Sequence, residues 1–269
     1  MLRVAVFGAT GRMGAAVVRA LNASAEAELS GALTVPGDAN VGKDAGSLAG
    51  VGELDVPVSD DPQRVLQGAD VAIDFTLPAA FAGNLAASLE ADCPLVMGTT
   101  GLDESQQQAL ETAGERVAVV YGRNMSVGVN VFTELARQAT RYLGPDWDVE
   151  ISESHHRFKV DAPSGTALQI GEAVAAERGQ KLQDVADIGR KGDTGPRAPG
   201  AIGFSSIRAG SLVGEHSLLL AGENELLELR HVATDRAAFA DGALRAARWV
   251  SGRPAGLYSM GDVLGIAAS

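Results

Sequence analysis

A short apolar run, Leu2 to Phe7, leads without a break into Gly8-Ala-Thr-Gly-Arg-Met-Gly14, and Ala15 to Leu21 then reads as a helix. A buried strand that turns through glycines into a helix opens a βαβ unit, and Glu28 to Leu33 supplies its second strand. Three more strand-like segments follow, Val71 to Phe75, Pro94 to Met97 and Val117 to Tyr121. Helical stretches, including Ala79 to Leu89 and Glu104 to Ala113, separate them. Strand and helix in alternation are the pattern of a parallel, doubly wound sheet.

Glycines between a first strand and a first helix let the backbone turn tightly, approach a pyrophosphate and aim the helix N-terminus at it. Gly8, Gly11 and Gly14 stand where those tasks fall. Their spacing is G-x-x-G-x-x-G, which alone describes any tight turn. The position at the head of a βαβ series favours a dinucleotide. The acidic residue that holds an adenosine ribose is due about 20 residues on, and Thr34-Val35 stand there instead. Arg12 is within reach of a 2′-phosphate, so NADH and NADPH both stay open. Asp74-Phe-Thr76 and Gly98-Thr-Thr-Gly101 each follow a strand, at the carboxyl edge where such sheets bind ligands.

The pattern changes near Ser126. Beyond it come a helix from Phe132 to Tyr142, a strand from Val149 to Ser152, a helix from Ala167 to Ala176 and a Gly/Pro-rich stretch, 189–203. Ile202 to Arg208, His216 to Leu220 and Leu226 to His231 read as successive antiparallel strands with turns at Ala209-Gly210 and Gly222-Glu223-Asn224. A final helix, Ala237 to Val250, is placed back on the first domain. Within this half, Glu153-Ser-His-His-Arg-Phe-Lys-Val-Asp-Ala-Pro-Ser-Gly-Thr166 holds two of the four histidines. Ser164 is a good N-cap, and a helix opening at Gly165-Thr166 offers free N–H groups to a carboxylate or phosphate. His155, His156, Arg157 and Lys159 add positive charge to that anion site. His216 and His231 read as structural, with no neighbours at metal-ligand spacing, and no metal site is expected.

With 46% hydrophobic residues in 269, the chain can bury the cores of two domains. Its net charge of −12 argues against a general affinity for nucleic acid or anionic membrane. A single cysteine, Cys93, excludes an intrachain disulfide framework and fits a reducing compartment. No apolar run reaches a membrane span and no signal-peptide pattern is visible, so the cytoplasm is the expected location.

The residues resemble those of the dihydrodipicolinate reductases, also called 4-hydroxy-tetrahydrodipicolinate reductases, over nearly the whole chain. The likeness rests on the Gly8 to Gly14 loop, Asp74-Phe-Thr, Gly98-Thr-Thr-Gly, Asn124-Met-Ser-Val-Gly-Val-Asn130, Ser154 to Thr166 and Val213-Gly-Glu-His216. It implies reduction of a cyclic imine dicarboxylate by NADH or NADPH, on the route to diaminopimelate and lysine, by a homotetramer. It assigns catalysis to His155 and Lys159, substrate carboxylates to His156, Gly165 and Thr166, and cofactor contacts to Gly8, Ala9, Thr10, Gly11, Arg12, Met13, Gly98, Thr99, Thr100, Gly122, Arg123, Asn124 and Met125. Lys159, its pKa open to lowering by neighbouring cations, is the candidate general acid; His155 either positions substrate or shares the proton transfer. Three positions depart from the pattern: Phe158 for a further histidine, Thr34-Val35 for an acid followed by arginine, and Gly122-Arg123 for a small pair.

The expected architecture is α/β: a Rossmann-like doubly wound parallel sheet, 1–125 with 236–269, binding the dinucleotide. An α+β domain with an open mixed sheet, 126–235, is expected to bind substrate and mediate oligomerisation. Hinges near Met125 to Gly128 and Thr234 to Ala237 are expected to close the domains on a small dicarboxylate. Rival readings are another dehydrogenase on the same scaffold and a regulator that binds NAD(P) without turnover. A short-chain dehydrogenase is excluded, because none of Tyr121, Tyr142 and Tyr258 has a lysine four residues on.

Overall fold

A computed structural model describes residues 1–266. The chain divides into two compact units, Met1–Val127 with the chain from Arg236 onward, and Gly128–Asp235. The first runs β1 (Leu2–Phe7), α1 (Arg12–Asn22), β2 (Ala27–Leu33), α2 (Ala45–Ala49), β3 (Val58–Ser59), α3 (Pro62–Leu66), β4 (Val71–Asp74), α4 (Phe81–Glu90), β5 (Leu95–Met97), α5 (Glu104–Gly114) and β6 (Ala118–Tyr121). The second runs α6 (Val127–Leu143), β7 (Asp148–His155), α7 (Gly165–Glu177), α8 (Leu182–Val185), β8 (Ala186–Ile188), β9 (Ile202–Arg208), β10 (Gly214–Ala221) and β11 (Leu226–Ala233). The chain then returns to the first unit as α9 (Ala237–Val250), β12 (Gly256–Ser259) and α10 (Met260–Leu264).

The first sheet is parallel throughout, in the order β12-β6-β5-β4-β1-β2-β3. Strand periodicity explains how β1 holds two layers together. Val4 and Val6 face a core shared with Ala16, Val17 and Leu21 of α1 and the alanines of α9. Ala5 and Phe7 face the opposite core, with Phe81 and Leu85 of α4 and Leu110 of α5. The C-terminal helix therefore belongs to the dinucleotide-type unit, and β12 extends its sheet beside β6. Because strand order reverses between β1 and β4, the loops after these two strands border the crevice that such a sheet reserves for ligand.

The second sheet is mixed, in the order β11-β10-β7-β9-β8. Helices α6 and α7 cover one face through Phe132, Ala136, Ile170 and Val174, packed on Val149, Ile151, Ile202 and Leu218. The expected hairpin between the strands at 202–208 and 216–220 does not form. Strand β9 pairs with β7 in parallel, β10 pairs with β7 antiparallel, and β7 lies between them. The Ala209-Gly210 turn reverses the chain, as read, but a turn does not specify which strand fills the gap. β7 takes it because its inward row, Val149, Ile151, Glu153 and His155, is buried and finds partners on both sides.

Candidate active site

Gly8 turns the chain with φ 76°, a conformation that favours glycine, and Gly11 N–H donates to its carbonyl at 2.9 Å. Gly14 has no room for a side chain, since a Cβ there would lie 2.1 Å from Gly8 O and 2.6 Å from Ala9 Cα. Gly11 caps α1 without any side-chain hydrogen bond, and no acidic residue occupies the first turn. The first N–H groups of α1 are thus left for an anion. A cavity of about 760 Å³ opens there, lined by Gly8, Thr10 to Met13, Thr34 and Phe75 among others. Its volume is of the size that takes a cofactor. Tight cradle, bare helix end and cavity together fit the pyrophosphate of a dinucleotide.

Asp74 at the end of β4 is fully buried, and burial raises its pKa against its hydrogen bonds. It accepts from Thr76 N and Oγ1 at 2.7 Å, from Asn84 Nδ2 at 2.8 Å and from Thr99 Oγ1 at 3.3 Å. One carboxylate thereby ties the loops after β4 and β5 to α4 and fixes Thr76 and Thr99 at the carboxyl edge of the sheet. Thr100 is exposed beside them. Gly122 N–H donates to Met97 O, and Asn124 Oδ1 accepts from Ser126 N at 2.9 Å. Met125 packs into the core next to Gly122.

The position due for a ribose-binding acid is held by Thr34, whose hydroxyl donates to Asp38 Oδ2 at 2.7 Å. Thr10 of the glycine loop donates to the same oxygen at 3.0 Å. An acid is therefore present at the end of β2, brought back by the turn at Gly37, which has φ 80°.

In the second unit His155 is the last residue of β7 and is buried, while His156 begins the loop and is half-buried. His155 Nδ1 lies 2.5 Å from Glu153 Oε2. Arg208 of β9 grips both Glu153 oxygens, at 2.8 and 2.7 Å, and Ser164 N–H reaches Oε1 at 3.2 Å. Ser164 caps α7 by accepting from Ala167 N and meets His216 Nε2 at 3.0 Å. The His216 ring stands edge-on to His155 with centroids 5.1 Å apart. His216, read from sequence as a hydrogen-bonded structural residue of the sheet, is buried against Ser164 and His155, which are far away along the chain.

Lys159 departs from the cationic surroundings expected of it. Its Nζ lies 2.8 Å from Asp161 Oδ1. Burial opposes ionisation of Asp161, yet the hydrogen bond and charge of Lys159 hold its pKa below the usual carboxylate range. Gly165 and Thr166 open α7, and space beside Gly165 is empty.

A family model described as dihydrodipicolinate reductase, N-terminus, matches residues 2–125, and one described as dihydrodipicolinate reductase, C-terminus, matches residues 128–264. The chain belongs to the dihydrodipicolinate reductase family. Its similarity to a 4-hydroxy-tetrahydrodipicolinate reductase of Pseudomonas fluorescens is 49% identity over 98% of this chain and 99% of the relative. With that of Alkalilimnicola ehrlichii it is 50% over 98% and 99%. Among solved structures, a dipicolinate-bound dihydrodipicolinate reductase from Paenisporosarcina sp. TG-14 superposes with TM-score 0.76 at 25% identity, over 96% of this chain and 97% of that one. An amine dehydrogenase from Mycobacterium smegmatis, TM-score 0.63 at 15% identity over 96% and 95%, shares the fold alone. Asp38, Glu153, Arg208 and His216 stand in these arrangements without having been singled out as site residues from sequence, whereas Ser164 was read there as the N-cap of α7. His216 carried a signal as the end of the Val213-Gly-Glu-His216 motif, and Glu153 and Ser164 lie within the 153–166 block.

Proposed function

We propose that this protein reduces 4-hydroxy-tetrahydrodipicolinate to tetrahydrodipicolinate with NADH or NADPH, in diaminopimelate and lysine biosynthesis. The observation that carries this reading is a chain matching both halves of one reductase family while presenting a glycine-cradled helix N-terminus and a buried His155–Glu153–Arg208 array. A bound nicotinamide supplies the hydride. Every other requirement falls to the protein: hold two carboxylates, deliver a proton, and let water leave, since substrate plus reduced cofactor and a proton gives product, oxidised cofactor and water.

The open N-terminus of α7, at Gly165 and Thr166, takes one substrate carboxylate, with His156 supporting it. Lys159 delivers the proton, its ammonium stored beside Asp161 until substrate competes for it. His155 stands behind the same anion site. On the first unit, Gly8 to Met13 hold the pyrophosphate, Gly98 to Thr100 and Gly122 to Met125 border the nicotinamide end, and Asp74 keeps their hydroxyls in place. The protein works as a homotetramer in the cytoplasm; no helix among the described residues is long and apolar enough to cross a membrane.

The test is loss of reduced-nicotinamide absorbance with NADH and with NADPH, the substrate being made in situ by a synthase from pyruvate and aspartate semialdehyde. Substrate-dependent oxidation is expected. Folded protein that binds nucleotide and oxidises neither cofactor would overturn the reading. Lys159→Ala is expected to lose turnover on the order of 100-fold or more.

A further inference from the structure

Glu153 has no task in the reaction as described, yet more of the site converges on it than on any residue given one. Its side chain is 1% exposed. Four donors from three places meet it: His155 Nδ1 on its own strand, the two Nη groups of Arg208 on β9, and the N–H of Ser164 at the start of α7. Burial works to neutralise this carboxyl. Hydrogen bonds from His155, Arg208 and Ser206, and the charge of His155, overcome it and hold the pKa well below the usual carboxylate range. A buried ion pair is a poor device for stability alone, because well-packed apolar residues serve as well or better. Here the pair sits two residues before His155, the spacing that puts both side chains on one face of a strand.

We propose that Glu153 is the positioning residue of this reductase: braced by Arg208, it holds the His155 imidazole by Nδ1–H and leaves Nε2 as the working nitrogen toward substrate. The inference rests on the proposed reaction only in giving His155 work to do. A carboxylate behind the ring stabilises the imidazolium when Nε2 carries a proton, so His155 can face a substrate carboxylate with charge or pass the proton on. Gly214 agrees with this choice of nitrogen, since a Cβ there would lie 3.1 Å from Nε2 and crowd it. The ring lies among Glu153 on β7, Arg208 on β9 and His216 on β10, with Lys159 in the loop and His231 on β11 acting on His216, and Asp161 in the loop acting on Arg208. His216 adds no second charge: burial first, then the neighbouring His155, push its pKa down to about 3.

The experiment is ¹⁵N NMR of the histidine-labelled full chain, with the His155 signals assigned by their loss in His155→Asn, alongside the pH dependence of kcat and KM. Neutral His155 is expected as the Nδ1–H tautomer. In Glu153→Gln, kcat is expected to fall on the order of 100-fold, with KM changed far less and the alkaline limb of the kcat profile moved down by about one pH unit or more. NADH affinity, carried by the other unit, should hold. Glu153→Asp keeps the charge and Arg208 but draws the carboxylate back from Nδ1; it should keep the fold, lose most of kcat and weaken the tautomer preference. An Nε2–H tautomer in the native protein, or a kcat profile left in place by both variants, would overturn the proposal. If Glu153→Gln does not fold, the native spectrum and the aspartate variant still decide. Absence of turnover by native protein defeats the assigned reaction and leaves the tautomer result standing.

Discussion

Two carboxylates and one imidazole show what a linear reading of residues can and cannot reach. Thr34-Val35 shows no acid where one was due, because the reading counts along the chain, whereas the turn at Gly37 returns Asp38 to the same place. Asp38 is already saturated: Thr34 and Thr10 occupy Oδ2, and the Asn40 backbone and side-chain amides, both at 2.9 Å, occupy Oδ1. A carboxylate offers about four acceptor positions, so the influence expected of Asp38 on a cofactor is that of its fixed negative charge, against a 2′-phosphate. In Asp38→Asn the ratio of NADPH to NADH affinity, measured by cofactor fluorescence titration, should rise about two- to five-fold at low salt. An unchanged ratio would leave the choice to Arg12. His216 is held by partners, Ser164 and His155, that lie on other elements and are not visible along the chain. Its linkage has a definite sign. The unfolded chain protonates this histidine near 6.5 and the folded chain only near 3, by burial and by His155. In that window the unfolded state binds more protons, so stability falls as pH drops, by about 1.4 kcal/mol per pH unit. Glu153 adds an acid loss only below 4.5, its usual value. Urea unfolding at about pH 7 and about pH 5 should show His216→Gln losing less stability between them than the parent does.

At the scale of elements, β1 and β4 are buried along both faces and read as unbroken apolar runs, while one apolar stripe marks the helical period of α1. Short edge pieces were not legible. β4, β5 and β6 are as short but fully or mostly buried, whereas β3, β8 and β12 lie at sheet ends with mostly half-buried or exposed residues, so they leave no apolar run and exist because a neighbouring strand offers them an edge. The place of β9 was not legible either, since alternation reports which face is buried and says nothing about which neighbour is paired. That error mattered to the site: in the true register Arg208 lies opposite His155 and reaches Glu153, where a β9–β10 hairpin would have kept them apart. The glycine loop was legible because sterics alone write it. Gly14→Ala tests that cause. Its Cβ would sit 2.1 Å from Gly8 O, and backbone is what must move. The start of α1 should shift away from the turn, costing about 1–3 kcal/mol of stability as overpacking does. NADH affinity should fall by at least tenfold in fluorescence titration while far-UV circular dichroism stays near native; retained affinity would show that the helix N-terminus is not the phosphate site.

For the whole molecule, the proposed assembly would rest on a balance that charge and the second sheet define between them. Strand β11 is an edge strand of eight residues, and its outward row of Leu226, Glu228, Arg230 and Val232 is exposed. Leu226 is 68% and Val232 48% exposed. A long edge with apolar side chains is a liability unless another chain covers it, and a second copy applied through a two-fold axis does so with the same residues on both sides. Each chain also carries a net charge of −12, so bringing four together accumulates like charge that opposes association. The apolar contact is indifferent to salt, whereas repulsion between exposed charges is screened within about 8–10 Å at physiological ionic strength and reaches roughly three times as far at 0.01 M. Assembly should therefore strengthen as salt is added, the reverse of a complex held by ion pairs. Sedimentation velocity is expected to give four times the 27.6 kDa chain mass at physiological salt, with dissociation appearing first at low ionic strength. Leu226→Glu combined with Val232→Glu puts two further charges on the same row and should yield smaller species at every salt concentration. A native protein sedimenting as one chain throughout, or a double variant that stays tetrameric, would remove β11 from the interface.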